Sequence, residues 1–535
     1  MSTSGPHIAV LGGGLTGLSA AYHLARLHPT ARVTLLEKDT RFGGWIRSER
    51  VEVQDEHGNK ASVLLEAGPR TLRSNAKAVL ELVLVGGKMV WRGRSTFWTS
   101  NHKPSALHGR PLPLVPGSFT FRPLQAFSSF PPLSLASSHP LLAESSFPPS
   151  FLSHSNPTTD RRTRQTSLSM PSLPDALGPR SRARSGSALC HGVYGADSRQ
   201  LSVRAAFPTL WEAEERGKGS VMWGEIGPGA WFGAGKRKKV VQAKEKEEAW
   251  ALSEDQEFVG RVKKAAVLSF KDGLEQLVTA LVEALEKNDR VQLRKGTEVV
   301  ALSQDSESKA VEIRLANGET LTATHVISAL PLPALSPLLP SSHALPHLTV
   351  NPASTVTVFT LVFSTAHLTT PLHPPGFGYL IPRPADGYEA GAKGDESGLL
   401  GVVFDTASLG EQDAALEGDG ADKFVKITAM IGGPYPLEPA QLELESVLKT
   451  IARQLGRDGG LPKPVHWEVH RNVGSIPTYT VGHVERMEEM RRVAAQKWDD
   501  RLVVVGAGVG GVSVGDCAKA GREAARGLIK ADLVV

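Results

Sequence analysis

Two glycine-rich turns, one near each end of the chain, constrain the fold most. The first has the spacing G-x-G-x-x-G at Gly12, Gly14 and Gly17; it follows an apolar strand predicted over residues 8–11 and opens a helix predicted over residues 15–27. A second predicted strand, residues 33–36, ends in Glu37. Strand, glycines, helix, strand and acid in this order form a βαβ fingerprint for a dinucleotide, in which the glycines admit a pyrophosphate and the acid binds the ribose hydroxyls. Since a carboxylate repels a 2′-phosphate, the pattern favours FAD or NAD over NADP.

The second turn lies at the other end of the chain. Gly506, Ala507 and Gly508 follow a strand predicted over residues 501–505, and a helix is predicted over about 511–529. Both turns are therefore strand-to-helix connections, and we expect both to serve one cofactor. Between them, the pattern predicts helices at 75–84 and 273–285, strands at 291–302, 311–315 and 324–330, and a hairpin turn at Asn317 and Gly318.

Length and charge limit the possible functions. A chain of 535 residues predicts two or three packed regions. Its net charge of +5 arises in residues 82–196, which hold twelve Lys and Arg against three acids, whereas the rest holds 48 basic and 52 acidic residues. The basic charge is confined to one segment, so we expect no nucleic-acid partner.

Two cysteines, Cys190 and Cys517, lie far apart without Cys or His neighbours at ligand spacing. This argues against a disulfide framework and against a zinc site, and we expect no metal. No uncharged apolar stretch reaches the length of about 18 residues that a spanning helix needs, so any membrane contact is expected to be monotopic.

The segment 88–187 lacks the periodicity of the rest of the chain and is rich in Pro, Ser, Phe and His. So long a structureless stretch is unusual inside a compact enzyme. Two interpretations stay open: a disordered, low-complexity insertion, or unspliced sequence carried into the chain.

The residues after Glu37 distinguish between the dinucleotides. Lys38, Arg41, Gly43, Gly44 and Trp45 follow the ribose acid, and a second glycine loop lies at residues 66–71. Together these resemble the flavin amine oxidase superfamily, whose Arg-x-Gly-Gly loop reaches the FAD phosphates and whose next loop passes along the isoalloxazine.

Further segments resemble one family in that superfamily, protoporphyrinogen oxidase. They are residues 191–194, 197–204, 269–274, 327–331, 376–382, 476–483 and 511–517. The resemblance covers about residues 7–85 and 187–530. It implies an α/β fold: a Rossmann-type FAD-binding domain, a mixed-sheet substrate domain and a helical membrane-facing region that is disrupted here.

The resemblance implies FAD as the cofactor and assigns residues to it. Its FAD contacts correspond to Gly12, Gly13, Gly14, Leu15, Thr16, Gly17, Glu37, Lys38, Arg41, Gly43, Gly44, Trp45, Gly68, Pro69, Arg70, Thr71, Val299, Ala507, Val512, Ser513 and Val514. A helix that starts near Val512 would aim its N–H groups at the flavin N1 and C2 oxygen region, where negative charge develops. Substrate contacts correspond to Leu380, Phe404 and Met430, each of which could equally be a core residue.

The family's reaction is the six-electron oxidation of protoporphyrinogen IX to protoporphyrin IX in haem biosynthesis. Hydride passes from a methylene bridge to flavin N5, and O2 reoxidises the flavin with release of hydrogen peroxide. No catalytic side chain is expected because the flavin carries the chemistry. The resemblance further implies a monotopic association with the mitochondrial inner membrane, a possible homodimer and a possible contact with ferrochelatase.

The resemblance divides the chain into parts of the two domains. They are residues 1–87 (FAD-binding domain), 88–187 (insertion), 188–300 (helical region and return to the FAD domain), 301–470 (substrate domain) and 471–535 (FAD-binding domain). The family has an Arg that pairs with a substrate propionate shortly after the position of Leu84; Arg92 and Arg94 occupy this stretch, and their surroundings favour neither. Two alternatives therefore stay open: another flavin amine oxidase or desaturase, and a noncatalytic FAD-binding product.

Overall fold

The fold is given by a computed structural model, which describes residues 5–73, 76–85, 97–100, 119–120, 179–217, 267–385, 387–388, 397–416 and 423–532. Its strands are β1 (His7–Leu11), β2 (Arg32–Leu36), β3 (Ser48–Gln54), β4 (Lys60–Glu66), β5 (Phe97–Ser100), β6 (Phe119–Thr120), β7 (Val267–Phe270), β8 (Val291–Arg294), β9 (Val299–Gln304), β10 (Val311–Leu315), β11 (Thr320–Ala323), β12 (His325–Ser328), β13 (Ala353–Ser364), β14 (Gly378–Leu380), β15 (Leu399–Val403), β16 (Ala414–Ala415), β17 (Phe424–Gly432), β18 (His466–Pro477) and β19 (Leu502–Val504). Its α-helices are α1 (Leu15–Leu27), α2 (Lys77–Val85), α3 (Pro179–Tyr194), α4 (Val203–Ala206), α5 (Pro208–Arg216), α6 (Glu275–Glu286), α7 (Leu332–Leu335), α8 (Asp405–Leu409), α9 (Leu444–Gln454), α10 (His483–Lys497) and α11 (Val514–Asp532).

A five-stranded parallel sheet in the order β19-β12-β1-β2-β8 forms the centre of the cofactor domain. Its middle strands are buried on both faces, which explains why β1 and β2 read as nearly continuous apolar runs. Parallel strands end at a common edge, so the turns after β1, β12 and β19 are neighbours there. Both glycine-rich turns predicted from the sequence lie at this edge.

The helices that follow these two turns pack against each other, although they lie at opposite ends of the chain. A Cβ added at Gly521 of α11 would lie 2.3 Å from the carbonyl oxygen of Thr16 in α1, so only glycine permits this approach. The Ser19 hydroxyl of α1 donates to the carbonyl of Ala518 over 2.8 Å. The two ends of the sequence therefore form one unit.

A six-stranded sheet in the order β18-β13-β17-β15-β14-β6 forms the second domain. The sequence predicts a mixed sheet, and the structure shows antiparallel ladders between its neighbouring strands. One face of this sheet carries an apolar core that includes Phe359, Tyr379 and Ala429, against which α9 packs through Ile451. Smaller sheets join β9 to β11, pair β3 and β4 with β16, and pair β5 with β7.

The structure confirms most of the predicted elements near the first turn and refines others. Helix α1 spans the predicted residues, whereas the strand predicted over 291–302 is divided into β8 and β9 at Gly296, which has a φ of +64°. The predicted hairpin turn is present, with Gly318 at a φ of +88°. The predicted boundary at 300/301 falls inside β9. The parallel sheet still includes β12 after this boundary, and the strands of the second sheet other than β6 start at β13.

Within the segment 88–187, the structure describes residues 97–100, 119–120 and 179–187, which belong to β5, β6 and α3. The rest of that segment lies outside the described residues, as do Arg92 and Arg94, so both predictions about it stay predictions. Among the described helices, none has both the length and the apolar character needed to cross a bilayer.

Candidate functional site

The first glycine turn is shaped to leave space above the start of α1. Gly12 has a φ of +95°, and a Cβ at Gly17 would lie 1.9 Å from the Gly12 carbonyl oxygen, so both glycines are required by the backbone itself. Gly14 differs from them because a Cβ added there would meet no atom within 4 Å. Gly14 is the N-cap of α1 and, being a glycine, has no side chain to accept a hydrogen bond from the first N–H groups of the helix. The first helical turn, with Leu15, Thr16 and Gly17, contains no acidic residue. The positive end of this helix therefore borders open space, as a pyrophosphate site requires.

Glu37 directly follows β2 next to this turn and is held there by backbone groups. Its two carboxylate oxygens accept hydrogen bonds from the N–H of Gly13 at 2.6 Å and from the N–H of Asp39 at 2.9 Å. Each oxygen retains a second lone pair, which can accept a ribose hydroxyl. The N–H of Thr297 donates to the Glu37 carbonyl at 2.8 Å and brings the start of β9, with the half-buried Val299, to the same place.

The loop with two glycines after Glu37 contacts the first turn directly. Gly43 donates its N–H to the Gly13 carbonyl at 2.9 Å, and Gly43 and Gly14 form a β-bridge. Lys38, Gly44 and Trp45 are exposed beside it, the Trp45 side chain with 46% of its surface free. The exposed Trp45 therefore lies on a loop that is joined through Gly43 to the first glycine turn.

Arg41 is directed into its own loop. Its guanidinium donates to the carbonyls of Gly44, at 2.8 Å, and Ile46, and it pairs with Glu275 at 3.1 Å. The sequence places this side chain on the FAD phosphates, and in this structure it holds the loop in shape. Its assignment as a cofactor contact stays a prediction.

The second glycine loop follows β4 and meets the first one closely. A Cβ at Gly68 would lie 2.0 Å from the carbonyl oxygen of Trp45, so the two loops touch through backbone atoms. Pro69 and Thr71 are half-buried in the same segment. Arg70 forms an ion pair with Asp405 at 2.9 Å, and both side chains are almost fully buried. The Arg70 guanidinium thus links the cofactor domain to the second sheet, while the backbone of the loop borders the site.

The C-terminal turn lies across the edge of the sheet from the first one. Gly506 and Gly511 have φ values of +117° and +88°, and a Cβ at Gly510 would meet nothing within 4 Å. Helix α11 starts at Val514, two residues after the predicted start near Val512. The Ser513 hydroxyl donates to Asp516 at 2.6 Å and accepts from the Asp516 N–H at 3.1 Å, so Ser513 caps its own helix. Ala507, Val512 and Val514 are half-buried around this cap.

Two residues that the sequence analysis did not assign to the site support the C-terminal turn. Tyr479 donates its hydroxyl to the carbonyl of Ala507, and His483 contacts the carbonyl of Val509 through Nε2 at 3.1 Å. Their rings stack with centroids 4.2 Å apart. Burial lowers the pKa of His483 to about 4, so its imidazole stays neutral near pH 7. The segment 476–483 signals the family resemblance, but only the folded chain shows that it contacts a turn about thirty residues later.

The structure brings two of the three predicted substrate contacts together. Leu380, Gly401 and Met430 are directly opposite one another on three neighbouring strands, so the side chains of Leu380 and Met430 share one sheet face with only a glycine between them. Phe404 is 1% exposed in the core under the other face, stacked on His373 at 3.9 Å. Phe404 therefore does not lie with the other two.

The geometry fits FAD. Its diphosphate would lie at Gly14 and the start of α1, its ribose at Glu37, and its isoalloxazine between the second glycine loop and the C-terminal turn, in the space that Gly14 and Gly510 leave open. These residues come from four separate stretches of chain, which the parallel sheet and the α1–α11 contact hold at one edge.

Comparisons with known proteins agree with this geometry. A 31% identical relative, "Protoporphyrinogen oxidase" of Macaca fascicularis, covers 97% of this chain and 98% of its own length. A 23% identical relative, "Coproporphyrinogen III oxidase" of Bacillus subtilis, covers 98% of both. A crystal structure from Exiguobacterium sp. 255-15 matches the fold with a TM-score of 0.62 at 18% identity over 99% of both chains.

The profile of the family described as "Flavin containing amine oxidoreductase" matches residues 15–529, nearly the whole chain. The cofactor is FAD, as the turns and loops predict, and the chain is an oxidoreductase with protoporphyrinogen oxidase relatives. This protein belongs to the flavin-containing amine oxidoreductase family.

Proposed function

We propose that this protein oxidises protoporphyrinogen IX to protoporphyrin IX in haem biosynthesis, with O2 as electron acceptor and hydrogen peroxide as the second product. One observation carries the proposal: the similarity to the mammalian protoporphyrinogen oxidase extends over 97% of the chain. It therefore includes the second sheet, where a substrate would bind, as well as the cofactor turns that many flavoenzymes share.

The residues of the chain supply binding and orientation in this reaction. Bound FAD supplies the redox chemistry, taking electrons from the porphyrinogen and passing them to O2. The glycine turns and Glu37 fix the cofactor at the sheet edge. Leu380, against which α3 packs at Gly192, and Met430 are half-buried on one sheet face, and their exposed parts would give a macrocycle apolar contacts that exclude water.

A second candidate substrate is coproporphyrinogen III, because a relative at 23% identity is named for its oxidation. Coproporphyrinogen carries more carboxylates than protoporphyrinogen, which has vinyl groups in their place. An apolar side chain such as Leu380 or Met430 suits a vinyl group better than a carboxylate. We therefore favour protoporphyrinogen IX.

We further propose a monotopic association with the mitochondrial inner membrane, together with a homodimer and a contact with ferrochelatase. These proposals rest on the family resemblance. Recovery of the protein in the mitochondrial membrane fraction, and its release by detergent, would support the first. Recovery in the soluble fraction after gentle lysis would contradict it.

The reaction is testable because porphyrinogens are colourless and porphyrins fluoresce red. Purified protein should show flavin absorbance near 450 nm, produce red fluorescence from protoporphyrinogen IX faster than from coproporphyrinogen III, and release hydrogen peroxide only in air. The same assay on a chain that lacks about residues 88–187 and is rebuilt from the spliced transcript tests whether that segment interrupts the substrate domain.

Each outcome distinguishes the alternatives. Activity in the shortened chain alone restricts the proposal to that chain. Flavin absorbance without porphyrin in both chains overturns it and favours a noncatalytic FAD-binding product. Reduction of the flavin by amines, with no response to either porphyrinogen, favours an amine oxidase.

A further inference from the structure

Two imidazoles and one carboxylate meet on the surface, away from the cofactor edge. Glu56 and His57 lie in the turn between β3 and β4, and His367 lies three residues beyond the end of β13. Their ligand atoms all lie within 4.8 Å of one another. The Nε2 atom of His367 is 2.5 Å from Oε1 of Glu56, and the rings of His57 and His367 have centroids 4.7 Å apart.

A buried aspartate holds the two turns together. Asp55 is 6% exposed, and its carboxylate accepts the N–H of His57 at 3.0 Å and the hydroxyl of Ser364 at 2.9 Å. Ser364 in turn accepts the N–H of Ala366 at 3.2 Å, next to His367. The backbone at two of the three side chains is thus fixed by one hydrogen-bond network, although the turns are about 310 residues apart in sequence.

The packing beneath the turns is also well defined. Val53 and Val63 of the hairpin share an apolar cluster with Val362 of β13 and Phe424 of β17. The hairpin and the end of β13 are therefore held at a fixed separation. Only the exposed side chains of Glu56, His57 and His367 would have to rotate to bind a common ligand.

The chemistry of the three groups selects a class of ion. Two imidazoles and one carboxylate are a common set of protein ligands for zinc, with water in the fourth position. Imidazole nitrogen favours late first-row divalent ions over Mg²⁺ or Ca²⁺, which prefer oxygen ligands. Bond lengths near 2.0 Å place the ligand atoms of a tetrahedral site roughly 3.3 Å apart, which small rotations of these exposed side chains can reach.

We propose that Glu56, His57 and His367 bind a divalent transition metal ion such as Zn²⁺, which links the β3–β4 hairpin to the end of β13. The site lies at the end of the hairpin opposite Glu66 and the second glycine loop, roughly 20 Å away at 3.3 Å per residue. It is separate from the flavin site and does not depend on the proposed reaction. Metal binding stabilises the folded chain because the unfolded chain does not hold the three ligands together.

The test is calorimetric titration of the full-length, FAD-loaded protein with Zn²⁺, after treatment with EDTA and removal of any purification tag. We expect one site of micromolar affinity, a higher thermal unfolding midpoint with Zn²⁺, and no response to Mg²⁺. His57→Ala and His367→Ala should each weaken binding about tenfold or more, and the double variant should abolish it. Each variant should keep its flavin absorbance, which shows that it is folded.

A control uses another imidazole–carboxylate pair of the described chain, which is joined at a similar distance and has a half-buried imidazole. His347 lies 2.8 Å from Glu489, far in sequence from the hairpin. His347→Ala should leave Zn²⁺ affinity unchanged. Binding that persists at wild-type affinity in the double variant, or an equal loss in His347→Ala, would overturn the proposal.

Discussion

Gly14 and Gly17 lie three residues apart and are glycines for different physical reasons. Gly17 has the Gly12 carbonyl where its Cβ would lie, so a larger residue there displaces backbone. Gly14 has open space beside it and an extended backbone, with φ −69° and ψ 177°, which any L-residue can adopt. Gly17 is required by the fold, and Gly14 leaves open the space in which we expect the cofactor.

This difference predicts a folded protein without flavin. Gly14→Val should leave the fold intact and abolish FAD retention, because the branched side chain occupies the space of the pyrophosphate. Flavin absorbance and far-ultraviolet circular dichroism measure the two effects separately. Gly17→Val is the comparison, and it should lose both signals. A yellow Gly14→Val protein would contradict the assignment of this turn.

Phe404 and Met430 differ in a similar way, because Phe404 lies in the core and Met430 lies on the face proposed for the substrate. Phe404 is 1% exposed, and its truncation to Ala should destabilise the protein by about 3–5 kcal/mol. Met430 is half-buried on the face that it shares with Leu380. Met430→Ala should keep FAD, cost less stability than Phe404→Ala because Met430 is only partly buried, and lower kcat/KM for the porphyrinogen about tenfold, as expected for a lost apolar contact. Unfolding midpoints and steady-state kinetics of both variants test this contrast, and equal kinetics for Met430→Ala and wild type would remove Met430 from the substrate site.

At the scale of elements, the C-terminal turn depends on a neighbouring segment. Tyr479 follows β18, His483 starts α10, and both contact carbonyls of the turn that follows β19. This turn has two glycines in the left-handed region, Gly506 and Gly511, so its conformation is restrained weakly by its own sequence. Support from outside therefore matters more here than at the first turn.

Removing one of these contacts should loosen the cofactor. Tyr479→Phe deletes a hydroxyl that donates to Ala507, and a hydrogen bond of about 1 kcal/mol corresponds to about a fivefold weaker FAD affinity. Flavin fluorescence during titration of the apoprotein with FAD measures it. Tyr194→Phe is the matched control, because Tyr194 belongs to the same apolar cluster but donates to Ala206 at 3.0 Å, away from the turn. An equal loss in both variants would show that the cluster, and not the turn, sets the affinity.

Elements that depend on local pattern could be predicted from the sequence, and those that depend on distant partners could not. Helix α1 has its predicted bounds because apolar spacing and the glycine turn act within thirteen residues. Residues 295–298 between β8 and β9 are polar and include Gly296, so the break itself has a local signal. That β8 and β9 belong to different sheets depends on distant partner strands, which the local pattern does not reveal. Arg41 and Arg70 pair with Glu275 and Asp405, which lie more than 200 residues later, so the local sequence could not predict these partners.

At the scale of the whole molecule, buried charges join the cofactor domain to the second sheet. Arg70 pairs with Asp405, and Lys426 pairs with Asp413 at 2.9 Å and also donates to the carbonyl of Leu64 in β4. Such pairs cost much to desolvate, but breaking one leaves a buried charge without compensation. The two domains are therefore held in a fixed relation beside the glycine loops.

Glu66 lies at the centre of this contact and titrates in an unusual range. It accepts hydrogen bonds from Ser48 at 2.7 Å and from the N–H of Leu274 at 2.9 Å. Burial raises its pKa from 4.5 to about 7, in spite of these hydrogen bonds and the nearby Arg70 and Lys426. The folded protein thus keeps a proton that the unfolded chain releases above pH 4.5. The contribution of Glu66 to stability is fully present below pH 4.5 and is lost as the pH rises through about 7.

Replacing Glu66 should remove this loss. Glu66→Gln is neutral at every pH, so its free energy of unfolding relative to wild type should rise by about 3 kcal/mol between pH 4.5 and pH 8. Chemical unfolding at saturating FAD, measured at several pH values, tests this. Glu319→Gln is the control. The hydrogen bond from Arg294 lowers the pKa of Glu319, so the pH range in which Glu319 changes the free energy of unfolding lies below pH 4.5. A Glu66→Gln profile parallel to wild type across this range would show that Glu66 is already charged in the folded protein, and that the domain contact holds three buried carboxylates against two cations.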